Sequence, residues 1–212
     1  MEALKSIIGS RIIAISRGNY GEDLIFAARA LYEGGVRAFE VTFEQDKPEA
    51  LTADSIAQLA ESLPDDAVIG AGTVMNAEQV RIAHEAGASF IISPNTCREV
   101  IETTKRLGMV SIPGAMTPTE IAEAYSLGAD IVKLFPAGVL GVEYFKAVRA
   151  PLKHIPLAAV AGITAENIKA FSDAGAAAYG ISSSLFIKKA IKDRDAEAIK
   201  KAAEAFYAAI NN

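Results

Sequence analysis

The sequence predicts an α/β protein with one domain, residues 1–212, folded as a (β/α)8 TIM barrel with a short N-terminal helix. Short β-branched runs alternate along the chain with longer segments that carry apolar residues at helical spacing. Most of the short runs are continuously hydrophobic, which is typical of parallel strands covered on both faces. At 212 residues and 51% hydrophobic content, the chain is long enough for one barrel at the small end of that class.

The predicted elements start with a helix over residues 3–8, which we expect to cover the bottom of the barrel. Eight strands follow, each a short hydrophobic run. They span residues 11–16, 37–43, 67–71, 89–93, 109–113, 130–134, 156–160 and 177–182.

The helices between these strands are bounded by recognisable caps. Glycine precedes five of the strands, as at Gly87 and Gly128, and glycine accepts the left-handed conformation that ends a helix. Asn76 and Thr117 each stand three residues before an amide or an acid, which is typical of a helix start. Such short connections favour a closed barrel over an open doubly wound sheet, which would show similar local patterns.

Composition excludes several classes of function. The formal net charge is −5 without long runs of Lys or Arg, so we expect no nucleic-acid or membrane partner and instead a small molecule. Cys97 is the single cysteine and the histidines are His84 and His154. These residues permit no internal disulfide and favour no zinc cluster, so we expect no metal, no cofactor and a reducing, cytoplasmic location. No stretch stays apolar for about 18 residues, and no signal-peptide core follows Met1.

Two ionisable residues lie late in otherwise apolar strands, where barrels of this kind place their chemistry. Lys133 shares one strand face with Ile131 and Phe135. Glu40 and Thr42 share a face that we expect to point into the lumen, because the apolar residues of that strand alternate with them.

A buried lysine is a candidate nucleophile. Desolvation favours its neutral amine, which can attack a carbonyl carbon to form a Schiff base. The structural alternative is a buried ion pair between Lys133 and Glu40 that only fills the lumen, although such pairs stabilise weakly compared with packed hydrocarbon. Position favours the catalytic interpretation.

Other strand ends carry candidate binding residues. Arg17 can bind a carboxylate or a phosphate, or be a solvated surface charge. Thr73 can contact substrate or cap a helix, and Phe135 shares the face of Lys133. The loops after strands seven and eight contain Gly162, Ser183 and Ser184, and their backbone N–H groups, with a helix N-terminus behind them, are predicted to cradle a phosphate.

Five segments make the sequence recognisable and occur in order over almost its full length. The segments are Gly-Gly-Val-Arg-Ala-Phe-Glu-Val-Thr (34–42), Gly-Ala-Gly-Thr-Val (70–74), Ile-Ser-Pro-Asn (92–95), Ile-Pro-Gly (112–114) and Val-Lys-Leu-Phe-Pro-Ala (132–137). The chain resembles the 2-keto-3-deoxy-6-phosphogluconate aldolase / 4-hydroxy-2-oxoglutarate aldolase family. It also resembles the sister 2-keto-3-deoxy-6-phosphogalactonate aldolases.

The resemblance implies a class I lyase, independent of metal and commonly a homotrimer. It implies that Lys133 is the Schiff-base lysine and Glu40 the general acid/base. By the same resemblance Thr73 and Pro94 line a pyruvate pocket. Gly162 and the loop of residues 182–184 match phosphate-binding segments.

The chain departs from the family pattern at two positions. Glu44 stands where an arginine often contacts substrate, and Ala161 replaces the first glycine of a frequent Gly-Gly pair. We expect Glu44 to point away from the substrate and Arg17 to supply the compensating charge.

The sequence-based hypothesis is cleavage of 2-keto-3-deoxy-6-phosphogluconate to pyruvate and glyceraldehyde 3-phosphate, of 4-hydroxy-2-oxoglutarate to pyruvate and glyoxylate, or of both. Three alternatives stay open at this point. They are a 2-keto-3-deoxy-6-phosphogalactonate aldolase, a phosphosugar isomerase that uses Glu40 as base, and a noncatalytic sugar-phosphate-binding barrel.

Overall fold

A nine-stranded parallel sheet forms a barrel in the computed structural model, which describes residues 2–211. The strands are β1 Ile12–Ser16, β2 Ala38–Thr42, β3 Val68–Gly72, β4 Phe90–Ile92, β5 Val110–Ile112, β6 Gly114–Ala115, β7 Val132–Leu134, β8 Leu157–Val160 and β9 Ala178–Ile181. Hydrogen-bonded neighbours follow the order β5-β4-β3-β2-β1-β9-β8-β7-β6. The two strands at the ends of this order are separated in sequence only by Pro113, so the chain itself links the two edges of the sheet.

The eight predicted strands are confirmed, with two differences beyond small shifts of their ends. The fifth runs to Ala115 and is divided at Pro113, because proline has no N–H with which to continue the ladder. The carbonyl of Pro113 still accepts a hydrogen bond from the Lys133 N–H at 2.9 Å. The predicted third strand is also displaced by one residue, so that it includes Gly72.

Helices lie between the strands and outside the barrel. Within residues 2–211 they are α1 Glu2–Ser10, α2 Gly21–Glu33, α3 Ala50–Ser62, α4 Ala77–Glu85, α5 Arg98–Arg106, α6 Pro118–Ser126, α7 Ala137–Arg149, α8 Ile168–Asp173, α9 Lys188–Lys192 and α10 Ala196–Asn211. None of these helices is long and apolar enough to cross a bilayer.

Alternate residues of the strands face either the helices or the lumen. Phe39, Val41 and Phe43 of the second strand pack in the outer core against the helices, as predicted. The inner cluster fills the lumen and consists of Ile7, Ile13, Ile15, Ala38, Phe90, Ile92, Val110, Ile112, Ile131, Ala158, Val160 and Ala178. Because Ile7 belongs to α1, the N-terminal helix covers one end of the lumen, which confirms that prediction.

The predicted caps are confirmed. The Asn76 side chain accepts from the Gln79 N–H at 2.9 Å, and Thr117 forms a capping box with Glu120. Gly128 ends its helix at φ 105°, a conformation that would strain a residue with a side chain. These local signals place the strand ends, and therefore the site residues, in a regular order.

Candidate active site

A cavity of about 370 Å³ opens at the carboxyl ends of the strands. Loops after β1, β7, β8 and β9 surround it, as expected for a barrel of parallel strands. Its lining residues are Ile15, Arg17, Glu40, Lys133, Phe135, Val160, Ala161, Gly162, Ile163, Thr164, Gly180, Ile181, Ser182, Ser183 and Ser184.

Lys133 enters this cavity from the middle of β7. Its backbone is fixed by pairing with Gly114 on one side and Ala158 on the other. The residue is only 7% exposed, and its Nζ lies 4.8 Å from the centroid of the Phe135 ring. The aromatic face lies beside the amine, and both side chains line the cavity.

Glu40 enters from β2 and is 2% exposed. Its Oε2 is buried without a hydrogen-bond partner. The side chains of Glu40 and Lys133 form no direct ion pair. The alternative in which such a pair only fills the lumen therefore does not describe this site.

Burial shifts the pKa values of both groups toward their neutral forms. Desolvation lowers the pKa of Lys133, and the positive charge of Arg17 lowers it further. The negative charge of Glu40 acts in the opposite direction and raises this pKa. Desolvation raises the pKa of Glu40, and the positive charges of Lys133 and Arg17 lower it. The cavity therefore holds an amine and a carboxyl group whose neutral forms are both favoured by burial.

Gly72 makes room for the Glu40 side chain. A β-carbon on Gly72 would overlap Oε1, Cδ and Cγ of Glu40. Gly72 belongs to the Gly-Ala-Gly-Thr-Val motif (70–74), which by itself predicted no function for this residue. A glycine late in a strand, on the lumen face, was the signal that could have found it.

Arg17 and Thr73 come together at the rim. The Arg17 Nη2 donates to Thr73 Oγ1 at 3.0 Å, and Arg17 lines the cavity although Thr73 does not. Arg17 is exposed on one side, yet its charge lowers the pKa of both Glu40 and Lys133. It is therefore placed to attract an anionic group toward the amine.

Glu44 is held away from the cavity. Its Oε1 accepts a short hydrogen bond from the Tyr20 hydroxyl, and Glu44 is absent from the lining residues. Burial, followed by the bond to Glu44, raises the pKa of Tyr20 to about 12, so the phenol stays protonated as the donor. This arrangement agrees with the expectation that Glu44 points away from the substrate.

The predicted phosphate loops form another part of the cavity wall. Gly162, Ser183 and Ser184 all line it, together with Thr164, which the sequence analysis quoted without a role. Asn167 holds the first loop, since its Oδ1 accepts from the Thr164 N–H at 2.9 Å and its Nδ2 donates to the Gly162 carbonyl at 2.8 Å.

Close backbone packing shapes this loop. The Gly138 N–H donates to the Ala161 carbonyl at 2.8 Å, and a β-carbon on Gly138 would lie 2.7 Å from Gly162 Cα. Gly138 was not among the residues predicted from the sequence. Its signal is the glycine two residues after Pro136, at the start of α7, where another loop approaches.

The helix expected directly behind the second loop lies farther along the chain. The residues after Ser184 first form a turn in which Leu185 and Phe186 donate to the Ser182 carbonyl. Helix α9 then begins at Lys188 and has five residues. The expected helix N-terminus is therefore replaced by a turn, because Ile187 takes an extended conformation before the helix.

Pro94 does not line the cavity. It is half-buried after β4, and its carbonyl group packs against Gly114, the residue that pairs with Lys133. The contact that the structure gives Pro94 is therefore with the strand beside the lysine.

Gly180 was not predicted from the sequence. It faces the lumen from β9, and a β-carbon there would lie 2.8 Å from Val160 and 2.9 Å from Ile15.

The residues set aside in the sequence analysis lie outside the cavity. His84 and His154 are exposed, and Cys97 is half-buried at the start of α5. Among residues 2–211, no group of three or more His, Cys, Asp or Glu side chains is arranged to hold a metal ion.

Known proteins resemble this chain in sequence and in structure. A 2-dehydro-3-deoxy-6-phosphogalactonate aldolase of Escherichia coli (strain K12) is 36% identical over 176 residues, which are 82% of this chain and 84% of the relative. A 2-dehydro-3-deoxy-phosphogluconate aldolase of Treponema pallidum (strain Nichols) is 34% identical over 168 residues, 79% of this chain and 76% of the relative. The KDPG aldolase of Legionella pneumophila, solved with pyruvate captured at low pH as a covalent carbinolamine intermediate, superimposes with a TM-score of 0.85. That structure is 27% identical and covers 96% of this chain and 97% of its own.

Fold, site and relatives together define a class I pyruvate aldolase, a lyase on an α/β barrel. The family model for aldolases described as KDPG and KHG aldolase matches residues 4–202. The chain belongs to the KDPG and KHG aldolase family.

Proposed function

We propose that the protein cleaves a phosphorylated 2-keto-3-deoxy six-carbon acid through a Schiff base at Lys133, with Glu40 transferring the protons. The gluconate epimer is the first proposed substrate, and its products are pyruvate and glyceraldehyde 3-phosphate. The observation that carries this proposal is the shared cavity, which a desolvated amine and a desolvated carboxyl group line together with a guanidinium and two Gly/Ser loops.

The reaction begins when the neutral Lys133 amine attacks the C2 carbonyl, and loss of water from the carbinolamine leaves an iminium ion. Glu40 accepts the proton of the C4 hydroxyl as the C3–C4 bond breaks, and the bonding electrons move to the iminium nitrogen. The aldehyde departs, leaving a pyruvyl enamine. Protonation at C3 and addition of water then release pyruvate and restore the lysine.

Arg17 and Thr73 are proposed to bind the substrate carboxylate. The Arg17 Nη2 donates to Thr73 Oγ1 at 3.0 Å. The Arg17 charge also acts on both Lys133 and Glu40, since it lowers the pKa of each. A carboxylate at C1 is adjacent to the C2 carbonyl, so anchoring it there places C2 beside the amine. The Phe135 ring, which flanks Nζ, limits the approach to one side.

The phosphate is proposed to bind the loops that contain Gly162, Ser183 and Ser184. Backbone N–H groups in such loops bind anions without a cationic side chain, and these loops line the same cavity as Arg17. Binding energy from a remote phosphate can orient the reacting bond.

Two other substrates belong to the same mechanism. The galactonate epimer, which differs at C4, is favoured by the 36% identical relative named for that substrate. The smaller 4-hydroxy-2-oxoglutarate needs no phosphate contact.

A homotrimeric assembly stays a prediction, which sedimentation equilibrium of the purified protein tests.

Borohydride reduction with pyruvate tests the mechanism. The iminium is reducible, so we expect irreversible inactivation and one pyruvyl adduct, mapped by mass spectrometry to Lys133. Lys146, an exposed lysine on α7, is the internal control and should stay unmodified. An adduct at another lysine, or no adduct, would exclude Lys133 as the nucleophile.

A coupled pyruvate assay over the two phosphorylated epimers, their unphosphorylated forms and 4-hydroxy-2-oxoglutarate tests the substrate. We expect kcat/KM to be highest for a phosphorylated acid. A ratio near one between the forms with and without the 6-phosphate would remove the phosphate assignment.

A further inference from the structure

Thr73 has a backbone conformation that threonine rarely adopts. Its φ is 55°, in the left-handed region where a β-branched side chain is crowded. Such a conformation persists only where neighbouring groups hold it. Because the Thr73 hydroxyl accepts from Arg17, whatever holds Thr73 also places the guanidinium.

Two glutamines hold Thr73 through a chain of hydrogen bonds. Gln45 Nε2 donates to the Thr73 carbonyl at 2.9 Å, and Gln79 Nε2 donates to Gln45 Oε1 at 3.0 Å. Gln79 Oε1 in turn accepts from the Met75 N–H at 2.8 Å. Gln79 is 3% exposed on α4, so the chain begins at a rigid element and ends at the rim of the cavity.

Backbone groups fix the direction of this chain at both ends. The Met75 N–H can only donate, so Gln79 must present its oxygen there and its NH₂ group to Gln45. The Thr73 carbonyl can only accept, so Gln45 must present its NH₂ group to it. A glutamate at position 45 has the same shape but could not donate to that carbonyl.

We infer that Gln45 and Gln79 are positioning residues for the carboxylate-binding pair Arg17 and Thr73, an inference that rests on the proposed function. They keep Thr73 in its left-handed conformation, with its hydroxyl oxygen turned to the guanidinium. Neither glutamine lines the cavity, so both act through Thr73.

The test measures the pyruvate concentration that gives half-maximal borohydride inactivation. Gln45 is exposed, so Gln45→Ala and Gln45→Glu leave the core intact. Each should raise that concentration about five- to tenfold, as expected when a neutral hydrogen bond is lost. Gln58→Glu, the same change on the exposed surface of α3, should leave it within twofold of the parent protein.

Methyl pyruvate separates positioning from a general loosening of the site, because this ester lacks the carboxylate. The methyl pyruvate concentration that gives half-maximal inactivation should be the same for the Gln45 variants and for the parent protein. Gln79→Glu, checked for folding by urea denaturation, should behave like Gln45→Glu. Arg17→Ala should show the largest rise with pyruvate.

The possible failures are distinguishable. If the parent protein gives no adduct at Lys133, the proposed function itself is wrong. If the adduct forms and Gln45→Ala needs no more pyruvate than the parent, the positioning role is overturned. An equal rise with pyruvate and with its methyl ester overturns it as well.

Discussion

The Glu40 carboxyl group occupies the space that a side chain on Gly72 would need. The two residues meet because β2 pairs with β3 in a register that sets Thr42 opposite Gly72 and Glu40 opposite Gly70. A residue with no side chain thus determines where the proposed proton-transfer group stands.

Gly72→Ala should displace the Glu40 carboxyl group and reduce kcat. We expect a loss of about 10² to 10⁴-fold, the usual contribution of general acid–base catalysis. Borohydride trapping of pyruvate should persist, because Lys133 lies on β7. Gly9→Ala is the matched control, since a β-carbon there meets nothing within 4 Å. Equal kcat for the two variants would show that the carboxyl position does not matter.

The pH dependence of trapping should report the pKa of Lys133. Trapping needs the neutral amine, so its rate should rise with pH around a midpoint below the ordinary value of 10.5. Glu40→Gln should move the midpoint lower still, because the Glu40 charge raises the pKa of Lys133. Arg17→Ala should move it higher, because the Arg17 charge lowers that pKa. Shifts in the same direction for the two variants would contradict this electrostatic account.

The double variant Lys133→Met/Glu40→Gln should be inactive but more stable than the parent at pH 7. The pKa of Lys133 is lowered in the folded state, so this residue destabilises the fold as the pH falls below 10.5. The pKa of Glu40 is raised in the folded state, so this residue destabilises the fold as the pH rises above 4.5. Both penalties act at neutral pH, and replacing buried charges with neutral groups can add roughly 1 to 4 kcal/mol.

Urea denaturation at pH 7 measures this change. Lys133→Met alone is the control, because it leaves Glu40 without the ammonium that lowers its pKa. The single variant should gain less stability than the double variant. A double variant less stable than the parent would show that the pair stabilises the fold.

Tyr20→Phe should raise KM for acidic substrates. Without the Tyr20 hydroxyl, the Glu44 carboxylate is released at the rim and competes with the substrate carboxylate for Arg17. Tyr20→Phe/Glu44→Gln should restore the parent KM, because the competing charge is gone. Tyr125→Phe, at an exposed tyrosine, is the control. A KM that stays high in the double variant would assign the effect to the phenol and not to Glu44.

Ala161→Gly should stabilise the fold. Ala161 has φ 73°, and the left-handed conformation costs an L-residue roughly 1–2 kcal/mol. The greater freedom of glycine in the unfolded chain offsets about 0.4–1 kcal/mol of that gain. Urea denaturation should therefore show a gain of up to about 1.6 kcal/mol. Ala150→Gly, at a helical φ of −52°, should instead lose stability.

Local patterns in the sequence were sufficient for the barrel and for its two central ionisable residues. Strand residues alternate between faces, so the sequence alone predicts that Lys133 shares a face with Ile131 and Phe135. Parallel strands present their carboxyl ends on one side, so residues late in different strands meet. For the same reason Gly162, Ser183 and Ser184 were predicted to share one region, and they line one cavity.

Contacts between loops were not predictable in this way. The left-handed Thr73, the bond that joins it to Arg17 and the chain through Gln45 and Gln79 depend on distances between segments far apart in sequence. The same holds for Gly138 against Gly162 and for Pro94 against Gly114.

The sequence by itself determined the order of strands and helices and the face on which each strand residue lies, because periodicity and caps act over a few neighbouring residues. Only the tertiary structure decided how closely the neighbouring strands and loops approach. It placed the Glu40 carboxyl group over Gly72, turned Glu44 toward Tyr20 and left Pro94 outside the cavity. These outcomes depend on sheet register and on close packing between segments distant in the chain, which no local pattern specifies.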